Sequence, residues 1–174
     1  ISIVATYGIT HFLPADISTS IAIPFFKHFF VPLGIFFFLW SIFVMIGASN
    51  AVNLTDGLDG LATGIVAVGG GIIVLLTRTV TFFQPGVGIV ALMFTASCLG
   101  FLVFNRRPAS IFLGETGSLF VGFMLGILSV ISGGKIATAL LVMAVPVFDV
   151  ACVMLVRLRR GQSLSMGDRE HQHY

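Results

Sequence analysis

Charged residues are scarce in this sequence. Its 174 residues include nine Lys or Arg and seven Asp or Glu, so that 9% are charged, whereas 57% are hydrophobic. Soluble domains carry about a quarter of their residues as charged ones, which they need to cover their surface. The composition therefore excludes an ordinary soluble enzyme. The net charge of +2 and the lack of a long basic run also argue against a nucleic-acid partner.

Cysteine is rare as well. The two cysteines, Cys98 and Cys152, both lie inside apolar runs. Such positions are typical of small packing residues and speak against a disulfide framework or a cysteine metal site.

Long apolar runs, by contrast, are abundant, and the mean hydropathy is +1.08. A helix that crosses the bilayer needs about 20 predominantly apolar residues. The uncharged intervals therefore predict an all-α, polytopic membrane helix bundle with about five transmembrane helices. These spans cover roughly residues 32–49, 60–77, 86–105, 117–133 and 136–156.

Residues 1–31 differ from the spans because Ser, Thr, Pro and Asp interrupt their apolar residues. Residues 3–6 and 17–23 read as extended or interfacial pieces. We expect a small extended, hairpin-like segment on the extracytoplasmic side. Because the chain starts at Ile1 without a charged leader, we expect residues 1–174 to be a single integral membrane domain, the C-terminal part of a longer protein.

Basic residues are unevenly distributed between the predicted loops. If the five spans alternate, loops 50–59 and 106–116 and the tail from residue 157 share one side, and that side holds six of the nine bases. The positive-inside rule predicts that this side is cytoplasmic. Five of the seven acids also fall there, which suggests a role with a cation or a proton.

The first polar motif lies at the mouth of two spans, where amides and carboxylates recur at every third position. It consists of Asn50, Asn53, Asp56 and Asp59. Residues three apart lie on nearly the same helical face, and the intervening glycines let a ligand approach the backbone. A helix cap and turn would account for one such residue, but not for four.

The second polar motif, residues 105–118, places two arginines and one acid between spans. Arg106 and Arg107 suit phosphate oxygens, and Glu115 suits Mg²⁺. The two arginines equally fit a positive-inside loop that meets anionic lipid headgroups.

Three further features have structural as well as functional interpretations. The tail with His171 and His173 fits a metal-binding segment, a diphosphate-binding segment or a solvated tail without such a role. Asp149 lies inside the last span, where an acid is costly unless it is paired or faces a polar cavity. Gly122 and Gly126 form a small-xxx-small pair that favours close helix packing, and the glycine run 69–71 has the same interpretation or marks a kink.

Four strings resemble, in this order, the polyprenyl-phosphate N-acetylhexosamine-1-phosphate transferase family of bacterial envelope synthesis, glycosyltransferase family 4. They are NAVNLTDGLDGLATG (50–64), NRRPASIFLGETGSLFVGF (105–123), PVFD (146–149) and REHQH (169–173). The resemblance runs from about residue 35 to the end, and the first string is highly specific.

The resemblance implies roles for individual residues. Asn53, Asp56 and Asp59 match the family's nucleotide and active-site loop, and Phe112 matches its uracil-stacking aromatic. Glu115 matches the Mg²⁺-binding acid, with Asp56 as the second metal-ordering residue. The remaining implied site residues hold the substrate or face the diphosphate: Asn50, Arg106, Arg107, Asp149, His171 and His173.

The sequence also departs from the family pattern. The family acid at Glu115 is usually Asp, and Tyr174 stands where another His is common. The family's paired aspartates of an earlier cytoplasmic loop are absent from these 174 residues.

PVFD and the alternating histidines resemble the branch that moves N-acetylglucosamine-1-phosphate from UDP-GlcNAc to undecaprenyl phosphate, which releases UMP. The resemblance implies a Mg²⁺-dependent enzyme, with Mn²⁺ as an alternative ion, in the bacterial inner membrane with its active site facing the cytoplasm. Expected partners are a UDP-N-acetylhexosamine, undecaprenyl phosphate, membrane lipid and a second copy in a homodimer.

Two alternatives stay open. The first is the phospho-N-acetylmuramoyl-pentapeptide transferase branch of the same family, which usually has three consecutive histidines and lacks PVFD. The second is a non-catalytic transport or packing subunit. A transport pathway predicts charged residues in the middle of spans, where only Asp149 is found.

Overall fold

The computed structural model describes residues 1–12, 20–22, 30–32, 34–79 and 83–132. The elements in these residues are α1 (Ser2–Phe12), β1 (Ser20–Ala22), β2 (Phe30–Pro32), α2 (Phe36–Thr55), α3 (Leu61–Leu76), α4 (Pro85–Asn105) and α5 (Gly114–Ile131). The predicted span 136–156 and the tail from residue 157 lie outside the described residues, and with them Asp149, His171 and His173.

Three of the helices are long and apolar enough to cross a membrane: α2 with 20 residues, α4 with 21 and α5 with 18. Helix α3 is equally apolar but shorter, with 16 residues. Large apolar side chains face outwards, such as Met93 at 65% exposure and Val103 at 60% on α4. Lipid tails accept such side chains without cost. The predicted membrane helix bundle is confirmed, and the chain is an integral membrane protein.

The N-terminal segment corrects one expectation. Residues 3–6, predicted to be extended or interfacial, are helical and lie inside α1. This helix packs on α2, where Ile9 joins the cluster around Phe37 and Met45. The Ser41 hydroxyl donates a 3.2 Å hydrogen bond to the Thr6 hydroxyl between the two helices. Further along, β1 and β2 pair antiparallel over three residues each, as a hairpin-like segment requires.

Helix α2 also continues beyond its predicted end. The sequence suggested residue 49, but the helix runs to Thr55, so that Asn50 and Asn53 are helical and the loop begins at Asp56. Asn amides shorten helices when they compete for backbone partners. Here the Asn50 amide donates to the Ile46 carbonyl one turn back, at 2.9 Å, and leaves the helix intact.

Close packing of α5 on α2 explains the small-xxx-small pair. A Cβ atom on Gly122 would lie 2.7 Å from the Ala48 carbonyl oxygen, and one on Gly126 would lie 3.0 Å from Met45 Cα. The Ser49 hydroxyl donates a 2.8 Å hydrogen bond to the Leu119 carbonyl across the same interface. The packing interpretation of these glycines is confirmed, because any larger residue would push the two backbones apart.

Helix α3 packs mainly on α4 and also contacts α5. A Cβ atom on Gly70 would collide with the Thr95 hydroxyl, so the middle of the glycine run serves close packing here too. Side-chain hydrogen bonds join the end of α2 to the start of α5, the start of α3 to the end of α4, and the two connecting loops to each other, so these ends meet at one end of the bundle.

Candidate functional site

The two polar loops predicted to share a side do meet at this end. The backbone amide of Ala109 donates a 3.1 Å hydrogen bond to Oδ2 of Asp59. This bond joins the loop between α2 and α3 to the loop between α4 and α5. The two loops therefore lie at the same end of the bundle, whereas the cytoplasmic side and the place of the tail from residue 157 stay predictions.

Gly60 allows the loops to approach this closely. Its φ of 77° lies in the left-handed region that favours glycine, and it directly precedes α3. A Cβ atom at this position would lie 3.2 Å from Arg106 Cα and 3.3 Å from Leu102 Cδ1. A side chain here would strain the turn and press on the end of α4.

A chain of hydrogen bonds links Asn53 to the helix that carries Glu115. The Asn53 amide donates to the Ser118 hydroxyl at 2.8 Å, and Ser118 donates to the Glu115 carbonyl at 3.0 Å. Ser118 is buried, whereas the Glu115 side chain is exposed. The first turn of α5 is thereby fixed to α2, while the Glu115 carboxylate stays accessible.

A second chain starts at Thr63 in the first turn of α3. Its hydroxyl donates to Oδ1 of Asn105 at 2.9 Å, and the Asn105 amide donates to the Ile111 carbonyl at 2.9 Å. Thr63 and Asn105 are both 2% exposed. The end of α4 is thus joined to α3 and to the residue before Phe112.

These elements surround an open pocket of about 410 Å³. Its lining residues are Asn53, Asp56, Gly57, Leu58, Asp59, Asn105, Phe112, Leu113, Gly114, Glu115 and Ser118. Five residues that the sequence singled out belong to this set: Asn53, Asp56, Asp59, Phe112 and Glu115. Tertiary contacts therefore bring both predicted motifs into one site.

Other predicted residues lie elsewhere. Arg106 and Arg107 are exposed beside the pocket but do not line it. Asn50 is exposed one turn before Asn53, and its amide is bonded to its own helix. The roles assigned to these three residues stay predictions, as do those of the residues outside the described part of the chain.

Three carboxyl groups give the pocket its acidic character. Asp59 and Glu115 are exposed, whereas Asp56 is half-buried at the end of α2. Burial raises the pKa of the Asp56 carboxyl above its ordinary value of 3.8, because desolvation disfavours the charged form. A cation beside Asp56 would offset this cost.

The donor set has the chemistry that Mg²⁺ prefers. Carboxylate and amide oxygens line the pocket, and Mg²⁺ is usually held by one or two carboxylates together with substrate phosphates and water. Within the part of the chain that the structure describes, no three His, Cys, Asp or Glu side chains form a complete metal site. The residues fit an ion that a phosphorylated ligand helps to hold.

Two polar residues of the site lie in the second predicted motif but were given no role there, and one residue that supports the site was missed. Asn105 and Ser118 line the pocket, and Thr63, which does not line it, donates a hydrogen bond to Asn105. A signal existed, because Asn105 ends a long apolar run where an unpartnered amide would be costly. The partner whose hydrogen bond offsets this cost, Thr63, is 42 positions away, so the sequence alone could not predict the pair.

An apolar pocket of about 530 Å³ begins next to the polar one. It runs between α3, α4 and α5, and its lining starts at Gly60 and Leu61, directly after Asp59. Apart from glycines, its lining is aliphatic: Leu61, Ile65, Ala67, Val68, Ile72, Leu99, Leu102 and Leu125. The linings of the polar and the apolar pocket thus follow one another in the chain at Asp59 and Gly60.

Comparison with known proteins adds independent information. Residues 1–133 match the model of a family described as "Glycosyl transferase family 4". Over 148 residues, 78% of this chain and 41% of the relative, the chain is 40% identical to a phospho-N-acetylmuramoyl-pentapeptide-transferase of Rickettsia prowazekii. An enzyme of the same name from Thermodesulfovibrio yellowstonii is 42% identical over 144 residues, 75% of this chain and 40% of that protein.

A third such enzyme, from Rickettsia felis, is 41% identical over 180 aligned positions, 94% of this chain and half of the relative. The chain thus spans about 40 to 50% of the length of these curated relatives.

These relatives overturn the expected GlcNAc-1-phosphate branch, because they carry the name of the other branch. The branch assignment was wrong because of the residues on which it was based. It rested on PVFD and on the alternating histidines, whereas the family match ends at residue 133. The pocket-forming loops, which lie within the matched residues, did not enter the branch assignment.

Proposed function

The chain belongs to glycosyl transferase family 4, and we propose that the complete protein transfers phospho-N-acetylmuramoyl-pentapeptide from a uridine diphosphate donor to a polyprenyl phosphate in the membrane. The pocket carries the proposal, since it gathers acids, amides and an exposed aromatic ring at one end of a membrane bundle. The choice of donor is supported by the relatives, which are about 40% identical over three quarters or more of the chain.

Phe112 and Asn105 suit the nucleotide part of the donor. The Phe112 side chain is 71% exposed at the rim of the pocket, where a pyrimidine ring has room to stack on it. The Asn105 amide supplies polar atoms at the base of the same wall. A buried amide whose partners are fixed is preorganised for recognition and loses little freedom on binding.

The acids suit the diphosphate through a cation. Glu115 and Asp56 would hold Mg²⁺, with Mn²⁺ as an alternative ion, and Asp59 lies close enough along the loop to help order the nucleotide. When bound, the ion neutralises negative charge on the donor diphosphate. The residues of the chain position the two phosphates, because these anionic groups must be held together against their mutual repulsion.

In the proposed reaction, an oxygen of the lipid phosphate attacks the donor phosphorus that carries the sugar. The bond from that phosphorus to the bridging oxygen breaks, and UMP leaves with the electron pair. The product is a lipid diphosphate sugar. Because the phosphate nucleophile is already ionised at neutral pH, this step needs no strong base, and electrostatic stabilisation dominates.

The apolar groove is where we place the acceptor's hydrocarbon chain. Its lining begins at Gly60, the residue that follows Asp59 of the polar pocket, so we place the lipid phosphate at this end of the groove. A long isoprenoid needs an apolar path that is open to the bilayer, and this explains why the catalyst is embedded in the membrane.

We place the site on the cytoplasmic side of the bacterial inner membrane. The uneven distribution of bases supports this orientation. A uridine nucleotide donor is also a cytoplasmic metabolite, so the donor pocket must open to that side. The homodimer stays a prediction.

The test is donor choice by the full-length protein in detergent with undecaprenyl phosphate and Mg²⁺. We expect UMP release from UDP-N-acetylmuramoyl-pentapeptide at a rate far above that from UDP-GlcNAc. The Glu115→Gln variant of the same protein serves as the control for contaminating activity. Faster UMP release from UDP-GlcNAc would reject the donor, and no UMP from either nucleotide would reject the proposed function.

A further inference from the structure

Thr63 lies behind the polar pocket and does not line it. It is buried in the first turn of α3, and its hydroxyl donates a 2.9 Å hydrogen bond to Oδ1 of Asn105 on α4. The bond crosses between two helices, and both side chains are buried. A hydroxyl in such a place is costly to bury unless its hydrogen bond is formed.

The orientation of the Asn105 amide follows from its two partners. The Ile111 carbonyl can only accept a hydrogen bond, so the NH₂ group of Asn105 must face it, and the distance is 2.9 Å. Oδ1 therefore faces Thr63, which donates to it. The flip state of the amide, which is often ambiguous, is fixed here by hydrogen-bond chemistry.

The second bond of Asn105 acts on the backbone just before Phe112. The same turn is tied to the end of α4 by the Ser110 amide, which donates to the Phe104 carbonyl at 2.9 Å. Phe112 itself is 71% exposed, so its ring has little packing of its own. The place of this ring therefore depends on how firmly the preceding backbone is held.

Glu115 is held by a different set of contacts. Its backbone carbonyl is bonded to Ser118, which is bonded to Asn53 on α2. The chain of bonds from Thr63 and the chain from Asn53 have no member in common. A change at Thr63 should therefore disturb the Phe112 side of the pocket and leave the Glu115 side in place.

We propose that Thr63 is a positioning residue for nucleotide binding: through Asn105 and the Ile111 carbonyl, it holds the Phe112 wall of the pocket in its binding geometry. The inference rests on the proposed function, because it takes a uridine nucleotide as the ligand of this wall. Thr63 acts on affinity for the nucleotide rather than on the chemical step.

The test compares three variants of the full-length protein in detergent. Thr63→Val keeps the shape but removes the hydroxyl, and Thr63→Ser keeps the hydroxyl. Thr55→Val is the matched control, since Thr55 is also buried at this end of the bundle but its hydroxyl bonds only carbonyls of its own helix. UMP affinity is measured by calorimetry, and kcat and KM are measured by UMP release.

We expect Thr63→Val to weaken UMP binding and raise the donor KM about five- to tenfold, the usual effect of one lost buried hydrogen bond. Its kcat should stay within about twofold, as expected for loss of uniform binding. Thr63→Ser and Thr55→Val should resemble the wild type. Hydrogen exchange of the backbone at residues 109–113 should become faster in Thr63→Val alone.

Three results would overturn the positioning role: unchanged UMP affinity in Thr63→Val, a fall in kcat with an unchanged KM, or a Thr63→Ser variant as weak as Thr63→Val. Failure of the proposed function looks different. The wild type would then bind no UMP and release none, whereas the exchange measurement would still report whether Thr63 orders residues 109–113.

Discussion

The backbone amide of Ala109 donates a 3.1 Å hydrogen bond to a carboxylate oxygen of Asp59, 50 positions earlier in the chain. This contact joins the two loops that carry Asp59 and Phe112, both of which line the polar pocket. It also gives Asp59 a structural task besides its charge, since one of its oxygens is already engaged by the opposite loop. The two tasks can be separated by substitution.

Asp59→Asn should keep the loops together, because its amide oxygen can still accept the bond from Ala109, but it removes the charge. Asp59→Ala removes both. We expect Asp59→Ala to lower the free energy of unfolding by about 0.5–1.5 kcal/mol, the usual net value of one hydrogen bond, and Asp59→Asn to lower it less. Thermal unfolding in detergent, with exchange of the Ala109 amide, measures this. Equal destabilisation by both substitutions would contradict the bridging role.

Asp56 should carry a stability cost that depends on pH. Burial raises its pKa, so the folded protein binds this proton more tightly than the unfolded chain does. Stability contributed by this group is therefore lost as pH rises from the ordinary value of 3.8 through the raised pKa. In EDTA, Asp56→Asn should unfold at a higher temperature than the wild type at pH 7, and the difference should shrink towards pH 4. A variant less stable than the wild type at pH 7 would contradict this.

Glu115 should be essential for turnover without being essential for folding, because its side chain is exposed in the pocket. Glu115→Gln in the full-length protein should lose turnover by on the order of 10²-fold or more, comparable to the removal of other charge-stabilising groups. Glu115→Asp, which restores the commoner family residue, should retain more activity. UMP release at saturating Mg²⁺ is the measurement, and near wild-type activity of the Gln variant would remove Glu115 from the site.

Gly122→Ala should destabilise the bundle, because the added methyl group would lie within 3 Å of the Ala48 and Ser49 backbone. Overpacking of this kind costs about 1–3 kcal/mol. Gly100→Ala is the matched control, since a Cβ atom there meets nothing within 4 Å and alanine favours helix. Thermal unfolding in detergent should separate the two variants, and equal midpoints would argue against close packing of α5 on α2.

The orientation in the membrane is testable at Ser110, an exposed residue in the loop beside the pocket. A single cysteine at Ser110, in the full-length protein without its native cysteines, should be protected from an impermeant thiol reagent in intact cells. It should react after the cells are opened. Labelling in intact cells would place the pocket on the outside and contradict the proposed use of a cytoplasmic donor.

Much of the fold could be predicted because its signals are local. Four predicted spans correspond to helices α2 to α5, since a run of about 20 apolar residues identifies a membrane helix whatever its neighbours are. The glycine spacing at Gly122 and Gly126 likewise indicated close packing before the partner helix was known. The wrong predictions concern segments whose conformation depends on tertiary contacts. Helix α1 forms where extended chain was predicted, and it packs on α2.

The sequence by itself determined that the protein lies in the membrane, where four of its helices lie, and which polar strings are candidates for its site. Hydropathy and short motif spacing are properties of neighbouring residues and need no fold. The branch of the family was misread because the residues used for it, 146–149 and 169–173, lie beyond the family match, which ends at residue 133.

Only the tertiary structure decided which of those polar residues act together. It placed Asp56, Asp59, Phe112 and Glu115 around one pocket, left Arg106 and Arg107 outside it, and added Asn105 through its bond to Thr63. The physical reason is that these contacts join residues 40 to 70 positions apart. Such pairs meet only when glycines at Gly60 and Gly122 let the helices pack at backbone distance, and no local pattern in the sequence specifies which helix will be the partner.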